Sequence, residues 1–357
     1  MTTARRWCLV VLGVLLVIAT PVALRSLPAT GSDISASSLL KQIRASQSTD
    51  YSGVVESAGT LQLSVEGRFS SLADLLSGPT RMRVWWKAPD RWRVDTLRTS
   101  GETDLFRDPD GTTTWSYESE RATRSVDVTV RLPNSADLLP PTLAARTLAG
   151  ARSSEVSRIG AQRIAGVSAV GLRLDPADSA SRIDHVDVWA DPETGIPLRT
   201  EIYAAGETKP SIHTSFVSFS KDSPDIETLL FRPPPGVTMR RDDVVDIAAA
   251  ADRFSDARPP ATLAGLESRE GTLAQAVGLY GRGATVLMAI PVWGRVARPL
   301  RTQLAASIGA VEDSDGVHLS TGPLGLLLTP RSRGGSWLLL GSVTDETLTK
   351  AAQELTR

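Results

Sequence analysis

The sequence predicts an α+β protein whose main part is an open antiparallel β-barrel, or curved half-barrel, with covering helices. An N-terminal membrane helix precedes this barrel, and a small C-terminal α+β domain follows it. Three observations support the prediction: many short runs alternate apolar and polar residues, helical periodicity occurs at few places, and a Pro- and Ala-rich stretch separates two sets of strands. The expected boundaries are residues 1–30 for the anchor or signal segment, 31–245 for the barrel, 246–265 for a linker and 266–357 for the C-terminal domain.

The N-terminus has the pattern of an anchor or export segment. Arg5 and Arg6 precede residues 7–24, a run of 18 residues without a charge. This length lies between the apolar core of a signal peptide and a full membrane helix, and no clean pair of small residues marks a cleavage site. The pattern favours an uncleaved anchor over a cleaved signal. In both cases the bulk of the chain is expected to be extracytoplasmic, with an anchored N-terminus in the cytoplasm.

The composition indicates a folded body without a strong electrostatic field. The 357 residues carry a net charge of −1, so nothing in the composition would attract nucleic acid. The single cysteine, Cys8, lies in the apolar N-terminal run, so the rest of the chain has no disulfide and depends on a hydrophobic core for stability. Only five of the 39 basic residues are lysines, a skew that is typical of a GC-rich genome.

The elements of the barrel region follow one another closely in the sequence. Three apolar residues share one face of a helix predicted at residues 37–48, with Ser37 as a suitable N-cap. A second helix is predicted at residues 142–149, after a Pro-Pro pair, and residues 72–77 indicate a short helical insertion or lid. Period-two strands are predicted at residues 51–56, 61–69, 82–87, 92–97, 103–107, 112–118, 126–132, 155–159, 162–174, 183–203 (two strands) and 212–219.

Residues 183–203 contain the clearest hairpin signal. Residues 191–195 (DPETG) separate two alternating strands. Pro192 presets φ for the turn, and Gly195 accepts a positive φ. A two-stranded unit is therefore predicted, with one apolar and one polar face.

This strand–DPETG–strand unit resembles a hairpin of the LolA/RseB superfamily, and two other segments support the resemblance. Residues 38–53 (SLLKQIRASQSTDYSG) resemble the opening helix and first strand of RseB-type domains. Residues 86–94 (WKAPDRWRV) show the strand, Pro-containing turn and Arg-flanked strand of the same family. The motifs occur in the family's order within residues 33–242, about 60% of the chain, with an insertion at residues 72–79 as a departure.

The resemblance implies an extracytoplasmic open barrel whose apolar cavity holds acyl chains or a lipid-modified peptide. For RseB (MucB)-type members it also implies a smaller C-terminal domain and a contact with the extracytoplasmic part of an anti-sigma factor, in sigma-E regulation. Together with the Arg-rich composition, it suggests an actinobacterial-type member of the superfamily.

The C-terminal region is predicted to form a compact module of about 90 residues. Thr344 is a suitable N-cap for a terminal helix at residues 344–356, which carries an acidic residue early and a basic residue later. The other predicted elements are strands at residues 283–291, 311–320, 324–330 and 336–343 and a helix at 298–308.

No catalytic, cofactor-binding or metal site is predicted, and the chain is not expected to be an enzyme. His185, His213 and His318 lie on separate predicted strands without the spacing of metal ligands. Residues 166–171 have one residue too many for a Gly-x-Ser-x-Gly nucleophile elbow. Residues 278–283 precede a strand instead of opening a helix, so they indicate a flexible turn and not a phosphate-binding loop.

Large apolar residues at every second position identify a candidate ligand-binding face. A curled sheet places such residues on its concave side, where each large aromatic buries roughly 150–250 Å² in a filled core or against an apolar ligand. Both interpretations remain open from the sequence. The candidate cavity-lining residues are Met82, Val84, Trp86, Trp92, Val94, Trp115 and Tyr117.

These patterns predict a membrane-anchored extracytoplasmic protein that binds lipid or lipoprotein in an apolar barrel cavity, as a carrier or as an RseB-like sensor of envelope lipid state. An anchored chain cannot shuttle between membranes, which favours the sensor. The alternative is a structural or envelope-assembly protein with a filled barrel, whose C-terminal domain binds an anti-sigma factor or an ABC transporter. The expected partners are an acyl chain, lipid or lipoprotein, a membrane and one of those two proteins, without nucleic acid.

Overall fold

A large, mostly antiparallel sheet dominates the computed structural model, which describes residues 29–61, 75–99, 101–128, 130–241, 246–269, 275–332 and 335–357. Its twelve strands are β1 (Tyr51–Gly59), β2 (Pro79–Ala88), β3 (Arg91–Arg98), β4 (Gly101–Asp108), β5 (Gly111–Ser116), β6 (Arg121–Ser125), β7 (Val156–Ile164), β8 (Val167–Leu174), β9 (Ile183–Ala190), β10 (Pro197–Ala204), β11 (Ile212–Ser220) and β12 (Met239–Arg241). Their order in the sheet is β12-β6-β5-β4-β3-β2-β1-β11-β10-β9-β8-β7, and among these described strands only the β12–β6 pair is parallel. The predicted large antiparallel sheet is confirmed.

Two helices cover one face of this sheet, which we call the inner face; the opposite face is the outer face. Helix α1 (Ala36–Ala45) and helix α2 (Pro140–Thr147), with the 3-10 turn Ser135–Leu138 before α2, bury their apolar side chains against it. The predicted N-cap Ser37 is wrong by two residues, because Ser35 has the extended backbone of a cap and its hydroxyl accepts from the Ser38 N–H.

Buried hydroxyl groups fix α2 to the inner face. Thr200 Oγ1 donates to the Pro140 carbonyl at 3.0 Å, and Thr214 Oγ1 donates to the Leu138 carbonyl at 2.7 Å. Arg44 of α1 donates to the Leu148 and Ala151 carbonyls just beyond α2. These bonds satisfy carbonyl groups that would otherwise be costly to bury, so the two helices are held as a unit over the sheet.

The C-terminal part forms a second sheet with its own core. Its strands are β15 (Gly278–Arg282), β16 (Thr285–Val292), β17 (Val311–Glu312), β18 (Val317–Thr321), β19 (Leu324–Leu328) and β20 (Ser336–Gly341). Their order is β15-β16-β20-β19-β18-β17, and all these pairs are antiparallel. A two-stranded hairpin, β13 (Thr262–Leu263) and β14 (Leu266–Glu267), precedes this sheet in the chain. The helices after α2 are α3 (Ile226–Leu229), α4 (Ile247–Phe254), α5 (Gly294–Ala305) and α6 (Asp345–Thr356).

Two segments of this part differ from the sequence analysis. Residues 278–283 are mostly strand β15, with Tyr280 fully buried, and not a flexible turn. The expected linker, residues 246–265, contains α4 and most of a short hairpin. Ala248 and Ala251 of α4 pack into the core of the second sheet, so this segment is structured. The expected N-cap Thr344 is confirmed, since its hydroxyl accepts from the Thr347 N–H.

The two sheets meet through backbone hydrogen bonds and a buried ion pair, which we call the inter-sheet contact. The Arg182 N–H donates to the Ser342 carbonyl and the Thr344 N–H donates to the Ala180 carbonyl, both at 2.9 Å. Arg282 donates to both oxygens of Glu155 at 2.6 Å. The division into independent domains stays a prediction.

No helix in the described ranges is long and apolar enough to cross a membrane. The apolar run at residues 7–24 lies outside those ranges, and so do residues 72–74 of the predicted insertion at 72–77.

Candidate functional site

A row of three stacked aromatic rings crosses the inner face on the first three strands, and we call it the aromatic row. Tyr51 of β1 lies opposite Trp86 of β2, which lies opposite Trp92 of β3. The Tyr51 and Trp86 ring centroids are 5.8 Å apart, and those of Trp86 and Trp92 are 5.9 Å apart, with nearly parallel planes. Aromatic pairs directly across an antiparallel sheet stabilise it and form a continuous apolar surface.

Two phenylalanines of β11 extend the aromatic row. Phe216 meets Tyr51 edge-on at 5.8 Å, and Phe219 lies 6.4 Å from Tyr51. Their spacing of three residues would put them on opposite faces of a regular strand. A bulge at β1–β11 breaks the register so that Phe219 pairs with Gly53 and Phe216 with Val55, and both rings reach the inner face.

The hydroxyl of Tyr51 is the polar group of the aromatic row that has no partner among the described residues. Tyr51 is 1% exposed, and its Oη has no hydrogen-bond partner among the described residues. Burial raises the pKa of this hydroxyl well above its usual value, so it remains a neutral donor. A buried, unmatched hydroxyl is costly, and a ligand oxygen beside it would remove that cost.

Five of the seven predicted cavity-lining residues share the inner face with Tyr51. Met82, Val84 and Val94 are fully buried, and Trp92 is 6% exposed. Trp86 is only partly buried, and its Nε1 donates to the Gln47 carbonyl at 3.3 Å. The strand alternation therefore places these five side chains on one face, and Trp86 is the most accessible of the three stacked rings.

The other two predicted residues, Trp115 and Tyr117, belong to the outer face, which corrects the expectation of one shared face. The β4–β5 pairing sets Trp115 opposite Asp104 and Thr114 opposite Leu105, and Leu105 is the inner-face residue. A difference of one residue in register reverses the face of every side chain on a strand. Trp115 packs on Phe231, and Tyr117 is 48% exposed.

Tyr51 and the two β11 phenylalanines were absent from the predicted set. Tyr51 opens the Tyr-Ser-Gly run of the first strand, and alternation from Tyr51 through Gly53 to Val55 was available as a signal. Gly53 makes room for Phe216, since a Cβ at Gly53 would lie 2.9 Å from a ring carbon of Phe216. The bulge that turns both phenylalanines inward has no signature in the sequence.

The inner face is closely packed in the described residues. The aromatic row joins one continuous apolar cluster with the side chains of the 3-10 turn, and a second cluster lies under α1 and α2. A pocket with about 10 Å³ of free space lies at the inter-sheet contact, beside Glu155, Pro176 and Arg282. That space holds about one water molecule, so it is no site for an acyl chain.

The outer face carries a buried group of acidic and basic side chains, which we call the carboxylate cluster. It contains Asp95, Glu102 and Asp104, each with an oxygen within 4.8 Å of the others. Arg93 donates to both oxygens of Asp95 and to Asp104, and Arg83 pairs with Asp95 and Glu102. Because guanidinium groups already pair with each of the three carboxylates, the arrangement fits an ion-pair network better than a metal centre.

The three histidines each lie beside a carboxylate and not beside one another. His213 Nδ1 is 2.9 Å from Glu201, and His318 Nε2 is 3.1 Å from Asp313. His185 Nδ1 is 2.6 Å from Asp184. Each histidine therefore contacts a different carboxylate, and the three rings do not converge on one site.

Comparison with known proteins gives one family match. Residues 108–227 match the model of the MucB/RseB N-terminal domain. No curated protein sequence matches the chain. The solved MucA/MucB complex of Pseudomonas aeruginosa is 17% identical with a TM-score of 0.49, covering 89% of this chain and 96% of that one. A LolA superfamily protein of Nitrosomonas europaea is 12% identical with a TM-score of 0.24, covering 56% and 98%.

These structural scores are too low to carry an argument about function. The family model is independent of them, and its range runs from the end of β4 to α3. That range includes the 191–195 turn and both phenylalanines of the aromatic row. Residues 108–227 therefore match a domain of the MucB/RseB N-terminal type, which supports membership of the LolA/RseB superfamily.

Proposed function

We propose that the chain is a membrane-anchored extracytoplasmic binding protein that takes an acyl chain of a lipid or lipoprotein on its inner face and acts as a sensor. The observation that carries the proposal is the aromatic row with its unmatched buried hydroxyl, on the same sheet as strands within residues 108–227, which match the MucB/RseB N-terminal domain. Recognition of an acyl chain needs apolar area, worth about 0.8 kcal/mol per buried CH₂, and no catalytic group. The proposal assigns no reaction to the chain.

The chemistry of the aromatic row suits a lipid with a polar end. Its rings offer flat apolar surface to methylene groups, and the Tyr51 hydroxyl offers one donor to an ester or amide carbonyl. The partly exposed Trp86 would be the first ring that an entering chain meets. Binding requires the covering elements to yield space, because the described inner face is filled.

A fluorescent acyl probe tests this proposal directly. Replacing Trp86 with alanine should weaken probe binding about fivefold, since one aromatic contact contributes on the order of 1 kcal/mol. The matched control is Tyr117→Ala, which removes a half-exposed aromatic from the outer face and should leave binding unchanged. Binding is measured by fluorescence titration, and co-purified lipid by mass spectrometry.

Two results would count against the acyl site. Equal losses in the Trp86→Ala and Tyr117→Ala variants would place the probe elsewhere. No probe binding and no co-purified lipid in the unaltered chain would leave the second candidate function, an interaction protein with a filled barrel. The close packing of the inner face favours that candidate. Its partner would be the extracytoplasmic part of an anti-sigma factor or a membrane transporter, docked through the C-terminal part.

The membrane attachment in the proposal rests on residues 5–24 and has its own test. Arg5 and Arg6 should keep the N-terminus in the cytoplasm and place everything after the apolar run outside. A reporter that works only outside the cytoplasm, fused after Arg357, should therefore be active. Activity of a cytoplasm-only reporter at that position would overturn the topology without affecting the acyl site.

A further inference from the structure

Two carboxylates of the carboxylate cluster lie directly opposite each other on the outer face. Asp95 of β3 pairs with Asp104 of β4, and the same cross-strand row contains Arg83 of β2 and Trp115 of β5. Like charges directly opposite in an antiparallel pair repel each other. The side chains of Asp95 and Asp104 are 0% and 1% exposed, so water does not screen this repulsion.

The charges around the pair do not balance. Three carboxylates, on Asp95, Glu102 and Asp104, face two guanidinium groups, on Arg83 and Arg93, which leaves one negative charge. Arg93 contacts only Oδ2 of Asp104, at 3.1 Å, and Oδ1 of Asp104 is buried without a partner. One proton on Asp104 would balance the cluster and supply a donor toward Asp95.

Other titratable groups near the pair do not supply a positive charge that would balance the cluster. Tyr117 lies close to the cluster and is neutral near pH 7, with a pKa raised by burial and by the neighbouring carboxylates. Glu118 accepts from the backbone N–H of Glu102 and adds a further negative charge. On the segment packed over this face, Glu227 and Arg232 pair with each other at the surface.

The cluster is linked by aromatic rings to the segment that leaves the sheet. The Arg93 guanidinium lies between Trp85, at 5.1 Å, and Phe106, at 4.7 Å from the ring centroid. Phe106 contacts Phe231 at 5.2 Å. Phe231 belongs to residues 226–241, which run from α3 to β12 and lead into the C-terminal part. A shift of Arg93 would therefore disturb the packing of residues 226–241 against the outer face.

We propose that the Asp95–Asp104 pair is a proton-binding site that controls how firmly residues 226–241 are held on the outer face. With the proton bound, the cluster is balanced and Arg93 stays between its two rings. When the proton leaves, the extra charge draws Arg93 toward Asp104 and loosens the Phe106–Phe231 contact. The pKa of Asp104 supports this proposal. It is raised to about 7 by burial and by the negative charges of Asp95 and Glu102.

The proton linkage has a definite sign. Asp104 has a folded-state pKa above its ordinary value of 3.8, so the folded state holds one more proton between about pH 4 and 7. The site therefore stabilises the folded state at low pH, and this stabilisation is lost as the pH rises toward 7. The folding equilibrium constant should fall about tenfold per pH unit in that window from this site alone.

The Asp104→Asn variant isolates the effect, because asparagine copies the shape of the protonated carboxyl group and its donor. The folding equilibrium constant of the variant, divided by that of the unaltered chain, should rise about tenfold per pH unit between pH 5 and 7 and then level off. Asp110→Asn, in the exposed turn of the same hairpin, is the matched control and should give a constant ratio. Urea unfolding at each pH supplies the constants.

Two direct readouts accompany this series. The ¹³C resonance of the Asp104 carboxyl group should titrate near pH 7 and should be missing in Asp104→Asn. Hydrogen-exchange protection of residues 226–241 should fall from pH 6 to 8 in the unaltered chain and stay constant in Asp104→Asn. If Asp104→Asn does not fold, Asp95→Asn should move the Asp104 titration to lower pH. A carboxyl titration near pH 4, or a ratio that does not depend on pH, would overturn the proposal.

Discussion

Replacing Trp92 with alanine is expected to lower the free energy of unfolding by about 3–5 kcal/mol, the range found for buried Trp truncations. Trp92 is 6% exposed, stacks on Trp86 and donates its Nε1–H to the Pro89 carbonyl at 3.1 Å. The alanine variant would lose the stack and the hydrogen bond and leave a cavity beneath the 3-10 turn. Urea unfolding followed by tryptophan fluorescence measures the loss.

The stacked partner ring, Trp86, provides a comparison for the stability loss expected at Trp92. Because Trp86 is only partly buried, Trp86→Ala should cost less stability than Trp92→Ala. If Trp92→Ala loses under about 1 kcal/mol while acyl-probe binding falls, Trp92 lines open space and not a packed core. A large loss of stability with unchanged probe binding would instead assign Trp92 to the core alone.

Replacing Arg282 with alanine is expected to lower the free energy of unfolding by about 2–3 kcal/mol at pH 7. The side chain of Glu155 is 4% exposed, and the variant would leave its charge buried at the inter-sheet contact without its main partner. The estimate lies below the usual range for buried pairs because the Arg282 side chain is 32% exposed. Calorimetry should also show the two sheets unfolding less cooperatively.

The same pair predicts a pH dependence of opposite sign to that of Asp104. Hydrogen bonds from Arg282 lower the pKa of Glu155 to about 2, below its ordinary 4.5. The stabilisation is therefore complete above about pH 5 and is lost as the pH falls toward 2. The difference between Arg282→Ala and the unaltered chain should shrink over that range. Arg232→Ala, which breaks an exposed pair with Glu227, is the control and should cost under about 1 kcal/mol.

The sequence was informative wherever one residue type decides the local backbone. Alternation located most of the strands, and the 191–195 turn fixed the β9–β10 hairpin, in which the Gly195 N–H donates to the Asp191 carbonyl at 2.8 Å. Thr344 marked the start of the last helix. These features depend on neighbours in the chain, so a single sequence contains them.

Features that depend on how distant strands align could not be predicted from the sequence. Alternation shows that Trp115 and Tyr117 share a face, but only the pairing of β4 with β5 decides that it is the outer one. The same limit hid Phe216 and Phe219, whose common face results from a bulge opposite β1. Strand β15 was missed because its glycines favour a turn locally, whereas pairing with β16 makes it a strand.

The position of β1 in the sheet has a consequence for folding. β1 pairs with β2, its successor, on one edge and with β11 on the other, so Tyr51–Gly59 must wait for Ile212–Ser220 before its second edge is closed. As the chain grows from its N-terminus, an early apolar strand therefore keeps an open edge until more than half of the chain has been made. Such late closure over a long loop slows folding and exposes the edge to aggregation. A nascent chain of this kind would benefit from a chaperone until β11 arrives.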